Sequence, residues 1–585
     1  MLTGISKEPS VEPWGPDLTA PAPAQSDQNT ALAAEAPAGV QPPVATEPRG
    51  SRLRKAFEIG ALLVAALLGL SAVQSAFALL GQITTTGCEE EGLFSIWRFC
   101  KGEPVYADSS AIPFAASYFN WLFYFVYGGI CKFTLALLNL DGGLLPDIAR
   151  LVTLGFAAAC IGIIYAILQF LAPLRFRLGK PSRLALSIAF VLNPLTGAWI
   201  ISARPDFGAL TFELAGLLCV LKYLKSHARS HLYATVAACY AAWAFKHNSV
   251  NILLGFGIFL AVRRRWPELL RFGGLSAGLW CVSLLIGGSQ YRFALLESQM
   301  HCQFSSELGF GLIKAAFALA PQLAPLPIGL AIMAARQKPG VMPDIPLFLT
   351  YLCLGTLGVA LAGMCKQGAS LNYLMLFSIL GMIWLLCSND AECERRWERR
   401  MAGGLRLATA SLFAVVLVKA LPASIELLSE TSRQTVAGWI SDRPAHERLT
   451  PSNTVRARLT EQLSHLPGPV WSNERALNLP WLQTKAPQFV YAFTYPLDRK
   501  AGRKYEAEGI GALIEAGYFG SLVISLQHCA CESPSNPKRI CKHLTMNHLP
   551  MVQTSGGPAI DGGSLRQYEL KGHDGMFSFY VKRTP

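Results

Sequence analysis

Glu89, Glu90 and Glu91 are consecutive carboxylates just past the first apolar run of the chain, in a stretch that also holds Trp97, Arg98, Lys101, Glu103, Tyr106 and Asp108. Crowded like charges raise one another's pKa unless a cation, a metal or a substrate proton compensates, and a carboxylate so tuned can act as a general base. A hydrated acidic turn accounts for the triplet equally simply. A second acidic point is Asp206 in Ser202-Ala-Arg-Pro-Asp206, where Pro205 ends one helix and the carboxylate can cap the next. Arg204 beside it and Lys246 in Ala244-Phe-Lys-His-Asn248 fall at junctions between apolar runs. A lysine there can snorkel to water, or Lys246 and Arg204 can bind a phosphate flanked by Asp206 and the glutamates. Asn372 and Tyr373 open a late apolar run, either lining a cavity or belonging to an interfacial aromatic belt. Glu297, His301 and Cys302, at roughly helical spacing, read as a hydrated loop, with a partner surface or acceptor contact as the alternative.

The elements that must position these residues are apolar. Of the 585 residues, 52% are hydrophobic and only 15% charged, which excludes a soluble multidomain enzyme and a fibre. The net charge of +13 falls in short clusters between apolar runs, so it reads as membrane orientation and implies no nucleic-acid partner. The expected fold is a polytopic α-helical membrane protein of about eleven spans with a small external α/β domain at the carboxyl end. The spans fall near 57–80, 148–172, 183–202, 207–224, 231–245, 249–262, 271–287, 312–334, 345–364, 371–387 and 403–422. With the amino terminus in the cytoplasm, clusters such as Arg52, Arg54 and Lys55, or Arg263, Arg264 and Arg265, face the cytoplasm. That pattern requires residues 81–147 to form one long external loop, with 118–140 dipping into the outer leaflet. The spans at 231–245 and 249–262 are short, and Pro194, Pro321 and Pro325 are expected to kink helices.

Residues 1–50, rich in Pro, Ala, Glu and Ser, are expected to be a disordered cytoplasmic tail. Residues 51–422 form the membrane module. Residues 423–585 return to soluble composition: Pro469–Ser472 and Ser521–Leu526 read as strands, Arg503–Gly517 as a helix, and Gln567–Leu570 with Met576–Lys582 as a hairpin. No Walker loop, dinucleotide fingerprint or zincin helix occurs there. In an oxidising periplasm Cys88 could pair with Cys100, and Cys541 with Cys529 or Cys531. His528, Cys529, Cys531, Cys541 and His543 could alternatively bind zinc, although a C-x-C spacing is unusual for it.

The succession Glu90-Glu91-Gly92, Trp97-Arg98, Gly102-Glu-Pro-Val-Tyr106 with Asp108, Asn120-Trp-Leu-Phe-Tyr, Arg204-Pro-Asp206, Phe245-Lys246 and Gly368-Ala-Ser-Leu-Asn372-Tyr373 resembles the GT-C glycosyltransferase superfamily. The likeness is closest to its protein-mannosyltransferase and lipid A aminoarabinose-transferase branches and spans most of residues 57–422. It implies an inverting transferase that moves a sugar from a polyprenyl-phosphate carrier to a glycan, lipid or protein acceptor on the extracytoplasmic face. It implies Glu90 or Glu91 as the base, Asp206 as the second external acid, and Lys246 near the lipid phosphate. Arg204, Tyr106, Asp108, Asn372 and Tyr373 would then bind substrate. Branches of the superfamily differ in metal use, so a divalent ion on these hard carboxylates stays open.

The expected location is a bacterial inner membrane, with the carboxyl-terminal domain in the periplasm and membrane lipid as a partner. Two other classes compete: a lipid-linked sugar flippase or transporter, which should carry coupling residues at mid-bilayer and often inverted repeats, and a non-catalytic assembly subunit working through its external domain.

Overall fold

The computed structural model describes residues 58–73, 89–387 and 461–584, apart from positions 71, 176–178, 198, 201, 337–342, 367–368, 473–474, 482–493, 526–566 and 575–576, together with isolated positions between 404 and 415. The tail, Cys88, the span expected at 403–422, and Cys529, Cys531 and Cys541 with their neighbouring histidines lie outside the described residues.

The chain is predominantly helical. A short apolar helix, α1 (Glu58–Leu70), precedes α2 (Glu89–Lys101) and α3 (Trp121–Leu137). The long α4 (Leu145–Arg175) is followed by α5 (Lys180–Leu192), which breaks at Asn193-Pro194 before a single-turn α6 (Pro194–Gly197). The run expected as one helix over 183–202 is therefore interrupted, because proline at 194 has no N–H to continue the ladder. Next come α7 (Asp206–Ser226), α8 (Arg229–Phe245), α9 (Asn251–Val262) and α10 (Trp266–Ile286). Then α11 (Gly288–Arg292) leads through a π turn, Phe293–Glu297, into α12 (Ser298–Met300). The membrane-type helices close with α13 (Ser306–Leu319), α14 (Pro325–Arg336), α15 (Asp344–Met364) and α16 (Met375–Cys387).

Four helical segments among the described residues are long and apolar enough to cross a bilayer: Gly142–Leu171, Asp206–Ser226, Trp266–Ile286 and Asp344–Met364. The pair Ser306–Leu319 and Pro321–Ala334 would add a fifth but is bent by 109° at the proline, so the region expected as one span over 312–334 is a broken span or a re-entrant loop. α1, α3, α9 and the 371–387 helix are shorter apolar helices. This is the build of a membrane protein.

α7 is the most enclosed of the four long segments and α10 the most exposed. α7 packs most extensively on α8, and also against α4, α9 and α15. Its buried residues Phe207, Leu210, Leu214, Leu217 and Leu221 recur at helical spacing and belong to the same core cluster as Phe256, Phe348 and Leu352. Short turns force α7, α8 and α9 to alternate in direction. One end of the bundle therefore carries Asp206, residues 246–251 and the exit of α15, while the other carries Arg263 and Arg265, paired with Asp344 at 2.9 and 2.6 Å.

The carboxyl-terminal part contains a four-stranded mixed sheet in the order β1-β2-β4-β3, with β1 Val470–Ser472, β2 Ser521–Ser525, β3 Tyr568–Asp574 and β4 Phe577–Lys582. β1 runs parallel to β2 with Trp471 opposite Leu522, β2 runs antiparallel to β4 with Leu522 opposite Tyr580, and β3 and β4 form an antiparallel hairpin bulged between Leu570 and Gly572. The expected helix over 503–517 is limited to Ile510–Glu515 after a 3₁₀ turn. Phe114, from the long loop between α2 and α3, is buried in the same cluster as Trp471, Leu513, Ile514, Phe519, Leu522 and Tyr580.

Candidate functional site

The glutamate triplet forms the first turn of α2, where carboxylates favour the free N–H groups of a helix start. All three side chains are buried, and Glu89 and Glu91 are held differently. Glu89 takes two parallel hydrogen bonds from Arg150 of α4, Nε to Oε1 and Nη2 to Oε2, both at 3.0 Å, and one from the backbone N–H of Ala203 at 2.9 Å. Asp147, one turn earlier on α4, stands 3.4 Å from the same guanidinium. Glu89 is thus a fixed half of a buried ion pair. Glu91 accepts the backbone N–H of Tyr118 and the hydroxyl of Tyr124 at 3.2 Å, both on Oε1, while its Oε2 is buried with no hydrogen-bond partner. Burial holds the Glu91 carboxyl well above the usual carboxylate range; the contacts from Tyr118 and Tyr124 oppose this, Glu90 reinforces it, and Arg204 opposes it.

Gly92 completes the Glu-Glu-Gly sequence for a packing reason. A Cβ at that position would stand 3.2 Å from the carbonyl oxygen of Ala203, so glycine lets α2 approach the segment that leads into α7. That approach joins the first acidic region to the second.

Asp206 opens α7 and is buried. Its Oδ1 accepts from Lys246 Nζ at 2.6 Å and Asn372 Nδ2 at 2.7 Å, and its Oδ2 from Arg204 Nε at 3.0 Å. Lys246 sits in the break between α8 and α9, with its ammonium 5.3 Å from the Tyr373 ring centre, and the Tyr373 hydroxyl accepts from Asn248 Nδ2 at 2.8 Å. Arg204 lies over Trp199 at 4.8 Å. A cavity of about 40 Å³ opens here, bordered by Asp206, Glu213, Lys246, Ser249, Asn372 and Tyr373. Lys246 and Arg204 thus converge on one buried carboxylate beside the cavity, cations of the kind that can also hold an anion.

Of the residues singled out in the sequence, Glu90, Glu91, Arg204, Asp206, Lys246, Asn372 and Tyr373 are gathered at one end of the bundle. Tyr106 is placed beside Glu91 through Tyr124, with ring centres 5.9 Å apart, but its hydroxyl donates to the Phe119 carbonyl at 2.7 Å. Asp108 is elsewhere: it accepts from the Ser110 backbone at 2.9 Å and pairs with Arg503 of the carboxyl-terminal part at 3.2 Å. Cys100 carries a free thiol near the Gly128 carbonyl, and burial pushes it up to about 11.

Arg150, Glu213 and His247 join this region only through the fold. Arg150 is a cation inside an apolar run, and Glu213 an acid inside the 207–224 run, a signal that marks function or pairing in membrane helices. Glu213 accepts the backbone and side-chain N–H groups of Asn251 at 3.0 and 2.8 Å. His247 follows Lys246; burial, with Lys366 and Lys246 nearby, pushes it down to about 3, so it is a neutral ring. Among the described residues no three His, Cys, Asp or Glu side chains are grouped to hold a metal ion.

No family model matches the chain, and no curated protein matches it.

Proposed function

We propose that the protein is an inverting glycosyltransferase of GT-C-like architecture that moves a sugar from a polyprenyl-phosphate carrier to an acceptor hydroxyl at the extracytoplasmic face of a membrane. One observation carries the reading. Residues 89–91, 204–206, 246 and 372, remote in sequence, meet at one end of the bundle, with a buried carboxylate on one side and a cation pair on the other.

In the proposed reaction the acceptor oxygen forms a bond to the anomeric carbon and gives its proton to Glu91. The bond from that carbon to the phosphate oxygen breaks with its electron pair, and polyprenyl phosphate departs. Glu91 suits the base better than Glu89, whose oxygens are held by Arg150 and Ala203, because its Oε2 is unpartnered and its proton affinity is raised. Lys246 and Arg204, aligned by Asp206, would meet the charge that develops on the departing phosphate. Asn372 steadies Asp206, and Tyr373 walls the cavity. Asp108 has no part in this scheme. The eleven-span topology, the inner membrane and the periplasmic carboxyl-terminal domain belong to the same proposal, since they put the glutamates where a carrier-borne sugar would be presented.

The reading is tested by separate Glu90→Gln, Glu91→Gln and Asp206→Asn variants assayed for sugar transfer in membranes. Loss of transfer in Glu91→Gln and Asp206→Asn at normal protein levels supports it. Full turnover in both removes it.

A further inference from the structure

The loop between α2 and α3 is fastened at closely spaced points from the carboxyl-terminal part to the candidate base. Ser109 donates to the buried carboxylate of Asp498 at 2.7 Å, and the other oxygen of Asp498 accepts from Ser298 of α12 at 2.6 Å. Tyr505 adds a bond to Asp498 at 3.2 Å. The Ser110 carbonyl accepts the Glu506 N–H at 2.8 Å, and the Glu506 carboxylate accepts the Ile112 N–H at 3.0 Å. Phe114 is buried in the carboxyl-terminal core, and Ala115 packs with Phe94 and Leu479. Ser117 bonds Ser95 at 2.9 Å and the Val105 carbonyl at 2.6 Å, and the next residue, Tyr118, donates its N–H to Glu91. Phe94 and Ser95 lie three and four residues past Glu91, on the same face of α2.

Arg503 secures the far side of this clamp. Its guanidinium bonds Gln290 at 2.7 Å, pairs with Asp108 at 3.2 Å and lies 3.9 Å over the Phe293 ring. The three hydroxyls on Asp498 satisfy a buried carboxylate that would otherwise be costly, so it resists displacement.

We propose that Asp498 is a positioning residue for Glu91, acting through the loop 105–119, so that the carboxyl-terminal domain sets the geometry of the base. This rests on the glycosyltransferase reading for its consequence in turnover, but the mechanical coupling stands without it. Glu91 is faced by Glu90 on its own helix, by the N–H of Tyr118, by Tyr124 and Tyr106, and by Arg204 across the Ala203 contact. His247 meets the Tyr118 ring at 6.0 Å and is neutral, so it adds no charge. The Tyr118 N–H favours ionised Glu91; slackening the loop removes that support and moves Glu91 further up.

The test uses the full chain in nanodiscs and compares Ser109→Ala, Asp498→Asn, the conservative Ser109→Thr and a distant control, Lys571→Ala. Ser109→Ala should speed hydrogen exchange over residues 105–119, at least about tenfold at Tyr118, with β2 and β4 unchanged. It should also move the acid limb of the transfer rate upward by about one pH unit, with Ser109→Thr and Lys571→Ala near the parent. Asp498→Asn should act in the same direction as Ser109→Ala. A fall in rate at every pH with the limb in place, or exchange over 105–119 equal to the parent, overturns the proposal. If the parent transfers no sugar, the functional reading fails and the exchange data alone decide the coupling: faster exchange at Tyr118 upholds it and parental exchange ends it.

Discussion

Glu89 and Glu91 are two residues apart, yet the structure gives them opposite duties, and replacing each separates the duties experimentally. Glu89→Ala removes both oxygens that hold Arg150 and the acceptor for the Ala203 N–H. The Arg150 side chain is 3% exposed, so its charge loses its bidentate partner away from water. Breaking one side of a buried pair costs about 3–5 kcal/mol, and the lost Ala203 contact adds to it. Arg150→Met alone takes the cation from the buried Glu89, which keeps the Ala203 N–H, and should cost a similar amount. The double variant Glu89→Ala, Arg150→Met removes both charges of the pair, so neither is left facing an absent partner, and it should lose less than the two single losses added together. The coupling energy from a double-mutant cycle should therefore be at least about 2 kcal/mol. Thermal melts of purified protein in detergent, with folded yield by gel filtration, measure it. Additive losses, or a Glu89→Ala protein as stable as the parent, would refute the assignment of Glu89 to structure.

Glu91 carries the pH prediction. Its folded pKa is raised, so it keeps its proton to higher pH than an ordinary glutamate, and a base role requires the transfer rate to climb only as pH passes that raised value. A raised folded pKa favours the native state below the unfolded value and loses that advantage as pH rises through the folded one, so Glu91→Gln should be the more stable protein at neutral pH and above; equal melts across pH would contradict it. Lys246→Met should lower transfer about 100- to 1000-fold, with Lys246→Arg retaining part of it, as followed by single-turnover kinetics. Phe114→Ala opens a cavity in the carboxyl-terminal core and should cost about 3–5 kcal/mol there, read as earlier proteolysis of that region. Gly92→Ala should push α2 from Ala203 and lower both stability and transfer, measured by melting and turnover.

The apolar runs made the long helices α4, α7, α10 and α15 legible, because a stretch near 20 apolar residues has few other homes. The hairpin of β3 and β4 and the strands at 470 and 521 were legible from alternation. The break at Asn193 and the 109° bend at Pro321 were foreshadowed by proline, but not their size, which packing sets. In the site, residue types pointed to Glu91, Asp206, Arg204 and Lys246. Their division of labour was hidden, since it depends on Arg150 and Ala203 reaching Glu89 across sixty-one and 114 residues. Asp108 looked like a substrate ligand because the loop motif contained it, and only the tertiary fold puts Arg503 on it. Asp498 gave no signal in the sequence, because its partners are two distant serines and Tyr505, brought to it only by the fold.

The most direct test is sidedness of transfer by the purified protein in sealed vesicles containing a polyprenyl-phosphate sugar. With orientation mapped by labelling a cysteine introduced at Glu103, product should form only when the acceptor is supplied on the face that exposes residue 103, and Glu91→Gln should form none. Transfer from the opposite face, undiminished transfer by Glu91→Gln, or no transfer from any polyprenyl-phosphate sugar offered would contradict the account.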